Sequence, residues 1–285
     1  MAATVGIVTG ASRGMGRACA VRLVRSVDVL LAVDLDRHGL ASLCDELAGG
    51  PARIEAVTLD VSDPAGLGRL AESAEGQGSL RAVAHAAGIS PTMADWRRVL
   101  TVDLVGTARL LEALRPLVTH ETATVCFASM AANLMVPGDA VAADAVLDDP
   151  LADDFLDRLK EAVGPTIGDS GVAYSWAKRG VQRLVRREAC RLGPRGGRIC
   201  SVSPGIIDTP QGRQEMQLQS VMQMLLERTP LERVGAPDEV AAVVSFLLSA
   251  EAGFVTGVDV LVDGGLVGAL SDRQAGESPS SPRTG

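Results

Sequence analysis

Residues Val5 to Thr9 form a short apolar run that passes directly into Gly10-Ala-Ser-Arg-Gly14-Met-Gly16, after which Arg17-Ala-Cys-Ala-Val-Arg-Leu-Val takes up helical spacing. A buried strand, a glycine turn and a helix N-terminus in that order form a cradle for a diphosphate. Glycines permit the tight turn and a close backbone approach, while the free N–H groups of the first helical turn and the helix dipole favour an anion. Gly10, Ser12, Arg13, Gly14, Met15 and Gly16 are therefore candidate contacts for a phosphate-bearing ligand.

The alternation continues downstream. A second strand, Val27 to Val33, ends at Asp34, where a carboxylate is placed to accept hydrogen bonds from an adenosine ribose and would repel a 2′-phosphate. This favours NAD over NADP, although Arg13 is a cation that partly offsets the preference. A helical stretch near Gly39 to Leu47 precedes a third strand, Ile54 to Leu59, then Asp60-Val61 and an amphipathic helix after Pro64. Asp60, with Val61 beside it, can bond the adenine side of a dinucleotide or can cap the following helix. The fourth strand, Leu80 to Ala84, leads to His85-Ala86-Ala87-Gly88, where Ala87 and Gly88 are small enough to let backbone pass beneath the ligand. Strands and helices alternating at this spacing predict an α/β fold: a doubly wound parallel sheet (Rossmann) of about seven strands, with right-handed crossovers and helices on both faces. We place a single domain over residues 1–270. Apolar residues make up 47% of the chain but aromatics only 2%, so the core must be built from Ala, Val and Leu, which suits helices on a parallel sheet.

A long helix is expected from Asp95 to Leu117, with Trp96, Val99, Leu100, Leu104, Leu111 and Leu114 on its apolar face; it carries Asp103 and Gly106. The fifth strand, Thr124 to Ala128, delivers Ser129 to the end of the sheet where ligands bind in open α/β folds, unless Ser129 simply caps the next segment. Tyr174-Ser-Trp-Ala-Lys178 then places a phenol and an ammonium on one helical face. Bringing a phenol from pH 10 to about 7 takes roughly 4 kcal/mol, of which a neighbouring cation supplies part. Tyr174 is thus a candidate acid or base, though the tetrapeptide alone also describes an ordinary surface pair.

Taken together these motifs resemble the short-chain dehydrogenase/reductases, in their single-domain branch, over about residues 4–268. Thr9-Gly10-Ala-Ser-Arg-Gly14-Met-Gly16 looks like the family's glycine loop, Ser129-Met-Ala-Ala its catalytic-serine segment, and Tyr174-x-x-x-Lys178 its active-site helix. Ser203-Pro204-Gly205-Ile206-Ile207-Asp208-Thr209-Pro210 resembles the loop over the nicotinamide, and Arg233 to Ala241 and Val255 to Gly265 resemble the last helix start and strand. The resemblance implies that Ser129 holds the substrate oxygen and Tyr174 exchanges its proton. It implies that Lys178 binds the ribose and lowers the tyrosine pKa, and that Pro204, Gly205, Ile207 and Thr209 fix the carboxamide. Asp103 occupies the place of a customary Asn in Asn-x-x-Gly and joins the catalytic set; an acid donates only when protonated, so either the water relay of that position is altered or Asp103 titrates upward. His85-Ala86-Ala87-Gly88 replaces Asn-Asn-Ala-Gly and removes a side-chain clamp on the sheet.

Ser129 and Tyr174 lie 45 positions apart, where the family has about a dozen, so an insert occupies about residues 133–170. It is acidic (Asp139, Asp144, Asp148, Asp149, Asp153, Asp154, Asp157), with Leu151, Phe155, Leu156, Leu159 and Val163 at helical spacing. A similar insert belongs to bacterial 3α-hydroxysteroid dehydrogenase/carbonyl reductase, where it bears on subunit assembly; a substrate lid and a solvated decoration are the other readings. The Met-rich stretch Arg213 to Arg228 (Met216, Met222, Met224) either covers the substrate or is plain helix packing. The expected activity is NAD(H)-dependent oxidation of a secondary alcohol, or reduction of the ketone, on a small apolar substrate such as a hydroxysteroid or alicyclic alcohol. An NADPH-dependent 3-oxoacyl-thioester reductase and a weakly catalytic cofactor sensor or scaffold are the alternatives.

A net charge of −8 with no basic patch argues against nucleic acid or an anionic membrane surface as partner. No basic leader or membrane-length apolar run is visible, so a cytoplasmic protein is expected, as a homodimer or homotetramer by resemblance. Five scattered cysteines and three dispersed histidines predict neither disulfides nor a metal site. Residues 271–285, rich in Ser-Pro, are expected to be a disordered tail.

Overall fold

Seven strands carry the computed structural model, which describes residues 2–134, 140–218 and 220–276. They are β1 (Thr4–Thr9), β2 (Val29–Asp34), β3 (Arg53–Thr58), β4 (Ser79–His85), β5 (Ala123–Phe127), β6 (Arg198–Pro204) and β7 (Asp259–Val262). All pair in parallel, in the order β3-β2-β1-β4-β5-β6-β7. The chain winds outward from β1 to β3, returns to lay β4 on the other side of β1, and winds outward again. The crevice at that reversal opens at the carboxyl ends of the strands, where such folds bind ligands.

The inner strands read as unbroken apolar runs because both faces are covered. On one side Val8, Leu30 and Ala32 pack with Ala20, Leu23, Leu40, Leu43, Val240 and Val244 of three helices (Gly14–Leu23, Arg37–Glu46, Pro237–Leu248). On the other, Ile7, Leu31 and Val33 meet Leu67 and Leu70 of helix Pro64–Gln77 and Leu110 and Leu114 of helix Gly106–Leu114. Acidic caps fix where the helices start: Asp36 accepts from His38 N and Gly39 N, Asp63 from Ala65 N just before Pro64, and Asp169 from Gly171 N and Val172 N. The cap before Pro64 is thus Asp63, not Asp60.

The expected helix from Asp95 to Leu117 is continuous but not uniform. Between Trp96–Leu100 and Gly106–Leu114 the chain makes a π-helical turn, Thr101–Val105, with Asp103 at its centre. The last helix runs Leu266–Gly276, so the boundary expected at residue 270 falls within it; residues 277–285 of the expected tail lie outside the described residues. Among the described residues no helix is long and apolar enough to cross a membrane.

Residues 135–139 of the insert, Asp139 among them, lie outside the described residues; its described part includes helices Ala140–Leu147 and Phe155–Val163. Its apolar stripe is covered: Ala143, Val146, Leu147, Phe155 and Leu159 pack with Leu104, Ala108, Trp176, Val181 and Leu184. Leu151, expected in that stripe, precedes the helix and is 37% exposed. The acidic residues meet a basic row on helix Ser170–Leu192. Arg179 Nε and Nη2 donate to the Asp144 carboxylate at 2.6 and 2.7 Å, and Arg183 donates likewise to Asp148 at 2.8 and 2.8 Å. Arg183 also reaches Asp144 at 3.0 Å and Arg187 reaches Asp148 at 3.4 Å. Four residues separate each arginine from the next, so one helical face carries the whole row.

These contacts are bidentate but partly solvated, and each is modest. Arg183, which bridges both carboxylates, offers the clearest measurement. Arg183→Leu is expected to lower urea stability by about 1 kcal/mol at low salt and by less at about 1 M salt, where the pairs are screened. A deficit that does not change with salt would assign its role to packing alone.

Candidate active site

Helix Ser170–Leu192 presents Tyr174, Lys178 and Gln182, spaced four apart, to the sheet. Gln182 Nε2 donates to Ser203 Oγ at 3.1 Å and Asp259 Oδ2 at 3.0 Å, tying the helix to β6 and β7. One turn earlier, buried Lys178 donates from Nζ to the Phe127 carbonyl at 3.1 Å, and Nζ lies 3.3 Å from Asp103 Oδ2 and 5.5 Å from the Tyr174 ring centre. Asp103 Oδ1 accepts from Ile89 N at 2.8 Å, while among the described residues Oδ2 has only the ion-pair contact with Nζ, not aligned as a hydrogen bond. The π turn sets Asp103 against this helix, and Gly180 allows the approach, since a Cβ there would stand 2.5 Å from Leu104 Cδ2.

Burial holds the Asp103 carboxyl above the usual carboxylate range, against the pull of Lys178 and the Ile89 amide. The upward titration foreseen for Asp103 is therefore present, together with a direct grip on the lysine. Tyr174 departs from expectation. Lys178 and the Ser129 hydroxyl do favour its phenolate, but burial, with Asp103 and Glu215 beside it, keeps the phenol above its ordinary value in the protein alone. Ser129 stands at the carboxyl end of β5, where its Oγ accepts from Ala131 N at 3.2 Å, as a cap of the next segment would, and it also lines the cleft.

A cavity of about 750 Å³ runs along the carboxyl ends of the strands, and every candidate catalytic and cofactor-binding residue lines it except Ser12 and Asp103, which are buried. At the nucleotide end the backbone is packed too closely for side chains. Gly10, at φ +68°, would place a Cβ 2.8 Å from Ala87 N, and Gly16 would place one 2.0 Å from the Gly10 carbonyl oxygen. Asp34 accepts from Ser12 N at 3.0 Å and Asp36 N at 2.9 Å, which fixes its carboxylate at the rim. Ser12 Oγ is buried without a partner among the described residues. A bare backbone cradle, an orphaned hydroxyl and a fixed carboxylate are the groups a dinucleotide's phosphates and ribose would engage, so these residues fit one. Asp60 accepts from Ser62 N and Oγ at 2.8 and 2.7 Å and pairs with Arg98 at 2.7 Å. Arg13 is exposed on the cleft and makes no ion pair among the described residues. Thr209 Oγ1 accepts from Gly212 N at 2.9 Å, starting helix Pro210–Leu218.

The sequence reading held that His85 removes a clamp; the structure shows another in its place. Thr107 Oγ1 donates to the Asp103 carbonyl at 2.7 Å and so accepts from His85 Nε2 at 2.9 Å. His85 Nδ1 then accepts from Thr9 Oγ1 at 2.7 Å, and Thr9 Oγ1 accepts from Ala87 N at 3.1 Å. This assigns the Nε2–H tautomer and links β1, β4 and the π turn. Burial, with Lys178 nearby, brings the His85 pKa from 6.5 to about 3.

The substrate half of the cleft is walled by Met93, Met130, Leu134, Val221, Met222 and Leu225. Of the Met-rich stretch, Met222 is buried against the cleft and Met216 packs beneath it, but Met224 is 41% exposed. Glu215, which sequence reasoning passed over, also lines this half; its one signal was its place four residues after Gln211, another wall residue.

The family model described as "Enoyl-(Acyl carrier protein) reductase" matches residues 10–145 and 162–267, leaving a gap inside the insert. The chain is 32% identical over 272 residues to "Short-chain dehydrogenase/reductase bsc3" of Alternaria brassicicola, covering 93% of this chain and 96% of that one. It is 32% identical over 267 residues to "L-rhamnose 1-dehydrogenase (NAD(P)(+))" of Azotobacter vinelandii, covering 91% and 95%. A solved "Short-chain dehydrogenase/reductase SDR:Glucose/ribitol dehydrogenase" from Brucella melitensis superposes with TM-score 0.72 at 29% identity, covering 93% of this chain and 99% of that one.

Because folded His85 stays neutral down to about pH 3 while the unfolded side chain takes up a proton near 6.5, the unfolded state binds more protons in that window and stability falls as pH falls through it. Between pH 7 and pH 5, His85→Gln should therefore lose less urea stability than the parent, by on the order of 1–2 kcal/mol. Equal losses would place another group in charge of the acid limb.

Proposed function

The chain belongs to the short-chain dehydrogenase/reductase family, an oxidoreductase of CH–OH groups that uses a nicotinamide cofactor, and we propose that it moves a hydride between NAD(H) and a secondary alcohol or ketone with Tyr174 as acid/base. The observation that carries this reading is the convergence of Ser129, Tyr174 and Lys178 in one cleft that continues into the glycine cradle. The nicotinamide supplies the hydride acceptor or donor when bound. The loop Gly10 to Gly16 would hold the diphosphate, with Arg13 and Met15 on its rim, and Asp34 the adenosine ribose. Asp60 and Val61 would face the adenine, Ala87 and Gly88 would run beneath the dinucleotide, and Pro204, Gly205, Ile207 and Thr209 would fix the carboxamide.

Ser129 Oγ holds the substrate oxygen, and Tyr174 gives it a proton in reduction or takes one in oxidation. Lys178 favours the phenolate electrostatically and binds the second ribose. Asp103 acts through Lys178: with the Phe127 carbonyl it fixes Nζ and balances its charge. The apolar wall suits an alicyclic or steroid-like body, in keeping with the resemblance of the insert to that of 3α-hydroxysteroid dehydrogenase/carbonyl reductase. Subunits, two or four, would meet away from the helical faces that the insert covers.

A 3-oxoacyl-thioester reductase using NADPH is the second reading, favoured by exposed Arg13 and the description of the matching family. The two fixed carboxylates Asp34 and Asp36 weigh against a 2′-phosphate.

Tyr174→Phe is expected to lower kcat by about 10²- to 10⁴-fold with NADH affinity within about twofold of the parent; undiminished turnover would sink the assignment. For the cofactor, kcat/KM should favour NAD⁺ over NADP⁺, and Asp34→Ala should shift that ratio at least about tenfold toward NADP⁺. A parent that prefers NADP⁺ would select the second reading.

A further inference from the structure

We propose that Glu215 decides which substrate the cleft accepts, and that the preferred substrate is an apolar ring bearing a second hydroxyl, which donates to the Glu215 carboxylate while the reacting carbon lies at Tyr174. The inference rests on the reading of Tyr174 as acid/base.

Helix Pro210–Leu218 carries Gln211 and Glu215 on one face, and both line the substrate half of the cavity. Met93, Leu134, Val221 and Met222 line the same cavity, so a ligand there meets apolar side chains as well as the Glu215 carboxyl. It lies close enough to Tyr174, Lys178 and Asp103 for their charges to act on one another. Among the described residues the donors beside it are the Ser90 hydroxyl and the Gln211 amide, and it is in no salt bridge: Lys178, the nearby cation, is held by Asp103. A carboxylate has about four acceptor positions, and a partly buried one left short of donors is costly. Two positions remain for a donor from the cleft. A hydroxyl supplies one without bringing a charge. A thioester carbonyl supplies none and would set acceptor against acceptor, so the same residue discriminates against 3-oxoacyl substrates.

The test separates binding from chemistry. In Tyr174→Phe protein saturated with NAD⁺ or NADP⁺, whichever it binds, calorimetric titration compares cyclohexane-1,2-, 1,3- and 1,4-diols with cyclohexanol. At least one diol is expected to bind about tenfold or more tightly than cyclohexanol. Adding Glu215→Leu should bring that ratio near one, while Glu215→Gln, whose amide oxygen still accepts, keeps part of it; dinucleotide affinity shows that each variant is folded. Absence of a diol preference, or a preference that survives Glu215→Leu, overturns the proposal. Turnover is then followed in the protein with Tyr174 intact. Turnover of the alcohols without diol preference would remove Glu215 alone, whereas Glu215-dependent diol binding without turnover would remove the hydride-transfer reading and leave this site standing.

Discussion

Lys178 is an ammonium with almost no access to water, and the site depends on how that charge is kept in place. Removing one member of a buried pair leaves an uncompensated charge that costs 3–5 kcal/mol in typical cases, so neither Lys178 nor Asp103 is independent of the other. The contact joins three elements: the helix of Tyr174, the π turn of Asp103, and the end of β5 through the Phe127 carbonyl. From that junction the organisation spreads. β5 delivers Ser129 two residues after Phe127, Tyr174 stands one turn before Lys178, and Ile89, held by Asp103, continues from the backbone that passes the glycine loop.

The polar interior is divided by proton affinity. His85, at the core of the Thr9–His85–Thr107 relay, is neutral and serves only geometry. Asp103 and Glu215 both carry raised carboxyls near Tyr174, and both help to hold its proton on. A phenol that is protonated in the protein alone is suited to donate to a ketone oxygen. In the proposed reading it would act as a base only once further positive charge arrives near it. Lys178 alone does not invert the tyrosine, because burial works against the phenolate and the Asp103 carboxyl opposes the lysine.

What was legible in the sequence follows from what is local. The glycine cradle, Asp34, Ser129 and Tyr174-x-x-x-Lys178 each sit at a junction of strand, turn and helix whose shape a few neighbouring residues determine, and the structure places them around one cleft. The parallel sheet was legible for the same reason, with strand ends displaced by a residue or two. The π turn was not, because one extra residue in a helix leaves the apolar spacing almost unchanged. Nor was the His85 relay, which spans from Thr9 to Thr107 and exists only once β1, β4 and the π turn are assembled. Glu215 looked like one polar residue in a glutamine-rich helix, since nothing local says which face of that helix meets the cleft.

The arginine row has a consequence for how the chain can be altered. Inserts between a strand and an active-site helix are natural targets for excision, on the view that a parent scaffold lies intact beneath. Here Arg179, Arg183 and Arg187 share the helix of Tyr174 and Lys178, and their partners Asp144 and Asp148 belong to the insert. Trimming it would stack three like charges a turn apart and bare the strip of Trp176, Val181 and Leu184. The shortened chain would not be a smaller version of this protein but a damaged one, since the insert covers the outer apolar strip of the Tyr174 helix and pairs its arginines.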